Sequence, residues 1–467
     1  MTTVQDNRAA NTTIKRTRNI MAILATSVSK VQLDPLYRKV AWRVLPLLLL
    51  GYIVAYLDRV NVGFAKLAML SDLGMSDAAF GLGAGIFFIG YFIFEVPSNL
   101  MLHRVGAKLW IARIMISWGL ISSLMAFTGP IAQLLGISHE ATFYVLRFLL
   151  GVCEAGFFPG VILYLTYWFP AALHSRMMAI VILGNPVSFI FGGPLSGAIM
   201  YYTAGSSLLA GWQWMFVIEA VPAVIIGVVV LCLLDNGIQS AKWLNTQEKA
   251  ELARRLAVDA AEKPRIGLKR LYAMPIIWML TLIYVLLMIG NYGINFWVPT
   301  IIKNAGVASI LDIGLITAIP YVFGAVTMVW VTRQAQRTGN QRAYAALMTV
   351  LAGIGLILCA AFPQQLLLMI LGVAFAVGGS LSAIALFWGL PGAFLQGAAA
   401  AAGIAIINSF GNLGGFAGPY LLGLLTTLFG SAQAGLMLLG VCLLACAALM
   451  LWVTRRPAQS SVGMLAD

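Results

Sequence analysis

The sequence predicts an all-α membrane protein with twelve transmembrane helices. Of its 467 residues, 61% are hydrophobic and only 10% are charged, whereas soluble domains carry about 25% charged residues. Twelve apolar segments are long enough to cross a bilayer. Basic residues concentrate in every second connection between these segments, which is the pattern of a multi-pass chain.

The twelve apolar segments follow one another with short connections, apart from one long polar connection in the middle of the chain. They lie at about residues 44–69, 78–100, 108–129, 141–165, 176–202, 212–235, 273–302, 310–332, 342–362, 365–392, 397–428 and 432–454. Residues 1–32 are polar, basic and aperiodic, so we expect them to be disordered. No short apolar run precedes a cleavage site there, and we expect no cleavable signal peptide.

The distribution of basic residues predicts the orientation of the chain. If the N-terminus is cytoplasmic, all but four of the 29 Lys and Arg residues fall on the cytoplasmic side. The exceptions are Arg59 and Arg147, within segments, and Lys66 and Lys303, on the far side. Both termini are therefore expected to be cytoplasmic. The net charge of +13 then reflects orientation, and we expect no nucleic-acid partner.

The two halves of the chain repeat one another. His103-Arg-Val-Gly106 follows the second segment and Gln336-Arg-Thr-Gly339 follows the eighth, while Asn185 and Asn408 each precede a Gly-Pro pair in the fifth and eleventh segments. Such repeats predict two six-helix pseudo-repeats with a solute site between them. The expected divisions are an N-terminal cytoplasmic tail 1–40, a first bundle 41–235, a cytoplasmic linker 236–271, a second bundle 272–456 and a cytoplasmic tail 457–467. Within the linker, Asn245 and Glu248 have the spacing of a helix cap, which predicts a short amphipathic surface helix.

Two pairs of charged residues lie well inside apolar segments: Asp58 and Arg59 in the first, and Arg147 and Glu154 in the fourth. A charge at bilayer depth costs about 3 kcal/mol on insertion scales, and such residues usually mark a solute or proton pathway. Arg147 and Glu154 are seven residues apart and so share a helix face. Protonating both acids would leave two uncompensated arginines, which favours binding of an anion. A structural ion network that locks the first and fourth helices is the alternative.

Several motifs carry a family resemblance. They are Tyr56-Leu-Asp-Arg-Val-Asn61, Glu95-Val-Pro-Ser-Asn99, Arg147-Phe-Leu-Leu-Gly-Val-Cys-Glu-Ala-Gly156, Tyr164-Leu-Thr-Tyr-Trp-Phe-Pro170, Phe387-Trp-Gly-Leu-Pro391 and Ile407-Asn-Ser-Phe-Gly-Asn-Leu-Gly-Gly415. Together they resemble the anion:cation symporter family of the major facilitator superfamily, in its bacterial branch for tartrate, phthalate, hydroxyphenylacetate and similar carboxylates. The resemblance implies the major facilitator fold in a bacterial inner membrane. The loop motifs depart from the superfamily pattern, because His103 and Gln336 stand where an Asp is usual.

The resemblance also implies roles for particular residues. Asp58 and Glu154 become proton-coupling residues and Arg59 a carboxylate ligand, since an arginine can bind a carboxylate through two parallel hydrogen bonds. The other expected substrate-binding residues are Tyr56, Tyr91, Arg147, Asn185, Trp388 and Asn408. Asn291 and Asn295 share a face of the seventh helix and are added on that spacing, with helix–helix hydrogen bonding as the alternative.

These observations predict a secondary active transporter that imports a small organic carboxylate together with protons. The expected partners are the carboxylate, protons and membrane lipid, with no cofactor and no metal. We see no nucleophile with a base and no metal set, so we do not expect an enzyme. Ala383, Ala385, Leu386 and Phe387 surround Trp388 with apolar groups, which favours a tartrate-like hydroxy acid or an aromatic acid. An anion exchanger, a uniporter or a sugar-acid (aldonate) symporter of the same fold are the alternatives.

Overall fold

A computed structural model describes residues 34–261, 273–391 and 397–453. Every regular element within these ranges is helical, so the all-α prediction is confirmed. The expected disordered segment 1–32 and cytoplasmic tail 457–467 lie outside the described residues, as does the end of the linker.

The described residues of the first half of the chain form nine α-helices. They are α1 (Pro35–Leu73), α2 (Asp77–Val105), α3 (Ala107–Leu124), α4 (Thr128–Leu135), α5 (His139–Glu154), α6 (Phe157–Thr166), α7 (Ala171–Ile182), α8 (Gly184–Tyr202) and α9 (Gly211–Leu233). A 3₁₀ turn, Met125–Phe127, joins α3 to α4.

The second half continues through the linker helix α10 (Thr246–Ala261). The helices that follow are α11 (Pro275–Asn304), α12 (Ile310–Thr338), α13 (Gln341–Ala361), α14 (Leu366–Phe387), α15 (Gly397–Gly411), α16 (Leu413–Phe429) and α17 (Gln433–Val453). A further 3₁₀ turn, Ile238–Ser240, precedes α10.

Eleven helical stretches in the described residues are long and apolar enough to cross a membrane. They match eleven of the twelve predicted segments. The remaining segment, 397–428, is divided between α15 and α16, which meet at Asn412. Neither α15 nor α16 alone is long enough to cross a membrane, whereas together they cover the length of the predicted segment.

The fourth predicted segment is interrupted immediately after Glu154. Helix α5 ends there, because Ala155 is extended (ψ 132°) and Gly156 has a positive φ of 85° that favours glycine. A side chain at position 156 would also come within 2.7 Å of Ser98 Cβ. Glu154 is therefore the last residue of a helix, at a break in the middle of a membrane segment.

The chain divides into two compact units, residues 1–44 and 45–467. In the first unit the described part is the beginning of α1, where Leu36 N donates to Asp34 Oδ1 at 3.0 Å. The second unit contains all the remaining helices and is described below. The expected boundaries at residues 41, 236 and 272 remain predictions.

Small residues line two of the helix contacts that join the two halves of the second unit. Helix α2 packs on α16, where a Cβ added to Gly81 would lie 3.1 Å from Gly423 Cα. Helix α8 packs on α12, where a Cβ added to Gly197 would lie 3.0 Å from Gly314 Cα. Such close approach of backbones is characteristic of helix contacts within membranes.

The predicted linker helix is confirmed as α10. Glu248 N donates to Asn245 Oδ1 at 2.8 Å, and Asn245 N donates to Glu248 Oε2 at 2.9 Å, which is a reciprocal capping box. One turn on, hydrogen bonds from Arg254 and Arg255 lower the pKa of Glu251 to about 2. The helix is therefore a solvated, charged element between the two halves.

Candidate functional site

The four predicted intramembrane charges, Asp58, Arg59, Arg147 and Glu154, form what we call the charge cluster. All but Arg59 are at most 2% exposed, and the Arg59 side chain is 13% exposed. Burial of this kind requires each charge to be paired or hydrogen-bonded. The partners of each residue therefore indicate what it can do.

Arg59 forms an ion pair with Glu154, which joins α1 to the end of α5. Its Nε donates to Glu154 Oε1 at 3.0 Å, and its Nη2 donates to the same oxygen. The break after Glu154 ends α5 at this point, so the carboxylate stands at a helix terminus beside α1. The structure thus brings together the expected proton-coupling acid and the expected carboxylate ligand.

Aromatic side chains surround the Arg59 guanidinium. Its Cζ lies 4.8 Å from the ring centroid of Tyr56, 5.4 Å from that of Phe87 and 5.5 Å from that of Tyr91. Its Nη1 donates to the Tyr292 hydroxyl at 3.3 Å, which links α1 to α11 in the second half. Cation–π contacts stabilise a cation in a desolvated site. Of the expected substrate-binding residues, Tyr56 and Tyr91 therefore lie at Arg59.

Asp58 has a separate set of partners, although it is adjacent to Arg59 in the chain. It accepts hydrogen bonds from Trp118 Nε1 at 2.8 Å, Ser122 Oγ at 3.0 Å and Asn61 Nδ2 at 3.3 Å. Consecutive helical residues point about 100° apart, so Asp58 faces α3. Within the described part of the chain it takes part in no ion pair. Its carboxyl group is held by hydrogen bonds from neutral donors.

Arg147 contacts backbone rather than carboxylate. Its Nε donates to the Gly83 carbonyl and its Nη2 to the Ala84 carbonyl, each at 3.2 Å, and its Cζ lies 5.1 Å from the Phe87 ring centroid. These bonds tie α5 to α2. Arg147 therefore supplies fixed positive charge close to Glu154, while two of its donors bind main-chain oxygens.

The four asparagines that were expected to bind substrate differ in their burial and contacts. Asn295 is 7% exposed and accepts from the Tyr321 hydroxyl at 2.7 Å, so it bridges α11 and α12. This contact fits the helix–helix alternative. Asn291, Asn185 and Asn408 are half-buried. The turn that carries Asn185 lies beside Tyr52, since a Cβ on Gly184 would be 3.0 Å from Tyr52 Cδ1.

Trp388 lies in an aromatic cluster of the second half. Its ring centroid is 4.8 Å from that of Tyr284 and 5.4 Å from that of Phe387, and Tyr284 and Phe387 are stacked 5.1 Å apart. Phe387 is buried, whereas Trp388 is half-buried at the end of α14. Ala383 and Leu386, which are also buried, add apolar surface on the same helix.

Four residues of the site were not predicted. Tyr292 binds Arg59, Trp118 and Ser122 bind Asp58, and Tyr284 stacks near Trp388. Trp118 and Ser122 have the i,i+4 spacing that places polar atoms on one helix face. The sequence alone could therefore have indicated that these two residues act together. Tyr292 adjoins Asn291 but lies on a different face, and only the packing of α1 against α11 reveals its role.

The site offers anion chemistry. In the described residues no three His, Cys, Asp or Glu side chains lie close enough together to hold a metal ion. Arg59 presents a planar donor group to the Glu154 carboxylate and binds the hydroxyl of Tyr292. The neighbouring Asp58 carboxyl group forms no ion pair in the described residues. Such a site can exchange one carboxylate partner for another and can take up protons.

Comparison with known proteins agrees with this architecture. The Major Facilitator Superfamily model matches residues 48–401. A putative tartrate transporter of Agrobacterium vitis is 44% identical over 420 residues, which cover 90% of this chain and 91% of that protein. The putative metabolite transport protein NicT of Pseudomonas putida is 43% identical over 415 residues, with 88% and 92% covered.

A solved structure shows the same fold at low sequence identity. A bacterial homolog of the human lysosomal transporter Spinster, in an inward-facing and occupied conformation, superposes with a TM-score of 0.69 at 14% identity. The match covers 90% of this chain and 98% of that chain. The predicted two-part helical fold is confirmed, and the two bacterial relatives are consistent with the predicted anion:cation symporter branch.

Proposed function

Because this chain belongs to the major facilitator superfamily, and is therefore a multi-pass membrane transporter rather than an enzyme, we propose that it imports a small organic carboxylate by proton symport. The proposed location is the bacterial inner membrane, with both termini in the cytoplasm. The central observation is the buried ion pair between Arg59 and Glu154, beside the hydroxyl of Tyr292 and one residue from Asp58.

The ion pair supports an exchange of carboxylates at Arg59. A bound substrate carboxylate would replace the Glu154 carboxylate as the partner of the guanidinium. Glu154 would then be a buried charge without its cation, and taking up a proton removes the cost of that charge. Anion binding and proton binding therefore assist each other, as thermodynamic linkage requires.

Asp58 supplies a second proton-binding group in this proposal. Its three neutral donors can hold an ionised carboxylate, but its burial at 2% exposure disfavours that charge. With Asp58 and Glu154 ionised, the charge cluster is neutral. With both protonated, Arg59 and Arg147 leave a net positive site for the anion.

The aromatic surroundings favour a short or aromatic carboxylate. Trp388 is half-buried and packs against Tyr284 and Phe387, and an aromatic acid stacked on the Trp388 ring would gain about 0.5–1.5 kcal/mol. A six-carbon aldonate would leave hydroxyls unpaired against this wall, at about 1–3 kcal/mol each. The hydroxyls of Tyr56 and Tyr292 and the amides of Asn185 and Asn408 are available to a hydroxy acid such as tartrate. The similarity to a putative tartrate transporter of Agrobacterium vitis supports the same class.

Reconstitution in proteoliposomes tests the proposal. Labelled tartrate and phthalate are offered with and without an imposed pH gradient, acid outside, and empty liposomes serve as the control. Symport predicts accumulation above the external concentration only with the gradient. Uptake that ignores the gradient but depends on internal anion would show an exchanger, and equilibration alone would show a uniporter. Either result would contradict proton symport.

A further inference from the structure

Lys66 is a buried cation outside the charge cluster. It lies near the end of α1, and its side chain is 3% exposed. Its Nζ lies 2.6 Å from Asp77 Oδ1 at the start of α2 and 4.0 Å from the ring centroid of Trp297 on α11, with the Phe80 ring centroid at 5.2 Å. Lysine is almost never buried to this extent unless it is paired. Its burial therefore depends on an ion pair and on the faces of two aromatic rings.

The partners of Lys66 lie in different halves of the chain. Asp77 belongs to the first half, as Lys66 does, whereas Trp297 is a fully buried residue of the second half. If the halves move apart, Lys66 loses Trp297 and keeps Asp77, whose side chain is 37% exposed. The cation then stays paired, so the separation does not leave a buried charge without a partner. The contact with Trp297 can therefore break and form again.

Lys66 shares a face of α1 with Arg59, because seven residues make about two helical turns. Gly63 lies between them on this face. Arg59 Nη1 donates to the Tyr292 hydroxyl of α11 at 3.3 Å, and a Cβ added to Gly63 would lie 2.9 Å from the Phe296 carbonyl oxygen of the same helix. The Lys66 contact comes next along α1. We call these three successive contacts the α1–α11 seam.

Two hydrogen bonds join the halves close to Lys66. Lys303 Nζ, at the end of α11, donates to the Leu67 carbonyl oxygen of α1 at 3.2 Å. Ala78 N, at the start of α2, donates to Thr427 Oγ1 of α16 at 2.8 Å. In the proposed orientation, with both termini in the cytoplasm, these contacts and Lys66 lie at the outer end of the bundle.

We propose that the contact between Lys66 and Trp297 fastens an outer gate, formed by the α1–α11 seam, that closes the path from the outside to Arg59. Lys66 is seven residues from Arg59, about 10 Å along the helix axis. Alternating access requires such a closure to open before substrate enters. The inference rests on the proposed orientation and on Arg59 as the substrate ligand. Lys66 holds the gate and does not bind the substrate at Arg59.

A distance measurement between spin labels tests the gate without a transport assay. The labels are attached to Ser71→Cys on α1 and Asn304→Cys on α11, two exposed positions beyond Lys66 toward the outer end. The native cysteines that are not buried, at positions 153, 232 and 442, are replaced by alanine in this background. Double electron–electron resonance on the purified full chain, without substrate, then gives the distribution of distances between the two helices.

We expect one short distance to dominate in the protein that carries only the labels. Lys66→Met and Trp297→Leu each remove the cation–π contact, and we expect the ratio of long to short distances to rise about two- to thirtyfold. Trp330→Leu is the matched control, because Trp330 is 60% exposed on α12 and should leave the distribution unchanged. An unchanged distribution in both Lys66→Met and Trp297→Leu would overturn the proposal.

The double variant Lys66→Met/Trp297→Leu distinguishes a direct contact from a general loss of packing. If the two side chains act through each other, the double variant should open no further than the more open of the two single variants. Independent effects would multiply the two ratios and would contradict the proposal.

Gly63→Ala tests the seam without changing either residue of the fastening contact. Its Cβ would meet the Phe296 carbonyl oxygen, a backbone atom that cannot rotate away, so the variant should also favour the long distance. Gly205→Ala, with nothing within 4 Å of its Cβ position, is the control. A distribution that Gly63→Ala leaves unchanged would show that the seam does not hold the two helices together.

The outcome for the gate is separate from the outcome for the proposed function. If substrate accumulates without a pH gradient, proton symport fails, and the measured distances still decide the gate. If symport is found while Lys66→Met and Trp297→Leu leave the distances unchanged, the proposed function stands and the gate falls. A membrane-impermeant maleimide should label Ser71→Cys in intact cells. Labelling only after permeabilisation would put the seam at the cytoplasmic end and overturn its assignment as an outer gate.

Discussion

Arg59 directs two of its donors, Nε and Nη2, to a single oxygen of Glu154. The usual strong geometry for arginine and carboxylate uses two parallel bonds to two oxygens. The observed pairing leaves Nη1 to bind Tyr292 on α11. Arg59 is therefore shared between a carboxylate of the first half and a hydroxyl of the second half, which is the arrangement expected of a residue that changes partners.

Removing the acid from Glu154 or Asp58 is expected to uncouple transport from the proton gradient. Glu154→Gln and Asp58→Asn remain hydrogen-bonding side chains of the same size but cannot take up a proton. Accumulation driven by a pH gradient should fall to simple equilibration, while counterflow exchange, which needs no net proton movement, should persist in part. Proteoliposome uptake and counterflow assays measure the two activities separately.

Matched substitutions at two acids outside the charge cluster provide the controls for this experiment. Glu251→Gln lies on the solvated helix α10, and Asp312→Asn lies in the first turn of α12. Neither acid belongs to the charge cluster, so both variants should accumulate substrate as the wild type does. Gradient-driven accumulation in both Glu154→Gln and Asp58→Asn would exclude them as the proton carriers.

Lysine substitution should distinguish the roles of the two buried arginines. Arg59→Lys keeps the charge but loses the planar fork, and we expect the Kd of the carboxylate to rise about tenfold to hundredfold. Arg147 donates to two backbone carbonyls. Arg147→Lys should therefore leave one carbonyl without its donor, and thermal unfolding should show a loss of about 1–3 kcal/mol with a smaller change in Kd.

Calorimetric titration and thermal unfolding of both variants in the same detergent give the comparison. Equal and mild losses of affinity at the two positions would contradict a division between substrate binding by Arg59 and helix attachment by Arg147.

The helices and the charge cluster could be predicted because their signals are local. Apolar length and the positions of basic residues identify spans and connections. A charge inside an apolar segment can be recognised from the sequence alone. Asp58, Arg59, Arg147 and Glu154 could therefore be identified before their partners were known.

The partners could not be predicted because they depend on packing between helices. Arg59 was expected to bind a substrate carboxylate, and the structure shows it bound to Glu154 and Tyr292. The chain breaks within segments were also missed, because Gly156 and Asn412 lie in continuous apolar sequence. Glu219 lies inside an apolar segment as Glu154 does, but its hydrogen bond from Ser196 appears only in three dimensions.

The aromatic cluster around Trp388 should select the class of substrate. Trp388→Ala removes a ring face, and we expect it to weaken binding of phthalate-like acids by about 0.5–1.5 kcal/mol while changing the affinity for tartrate less. Trp388→Phe should restore part of the loss. Thermal-shift screening of the wild type against tartrate, phthalate, hydroxyphenylacetate and hexonates sets the reference, and stabilisation by hexonates alone would refute the short or aromatic acid class.

The contact between α8 and α12 should tolerate no added side chain at Gly197. A Cβ there would lie 2.8 Å from the Ile310 carbonyl oxygen and 3.0 Å from Gly314 Cα, and both are backbone atoms that cannot rotate away. Gly197→Ala is therefore expected to destabilise the protein by about 1–3 kcal/mol, in spite of the better helix propensity of alanine. Gly205→Ala is the matched control, because nothing lies within 4 Å of its Cβ position, and it should change stability by less than about 0.5 kcal/mol. Thermal unfolding in detergent measures both, and an unchanged Tm for Gly197→Ala would show that the two helices are free to separate at this contact.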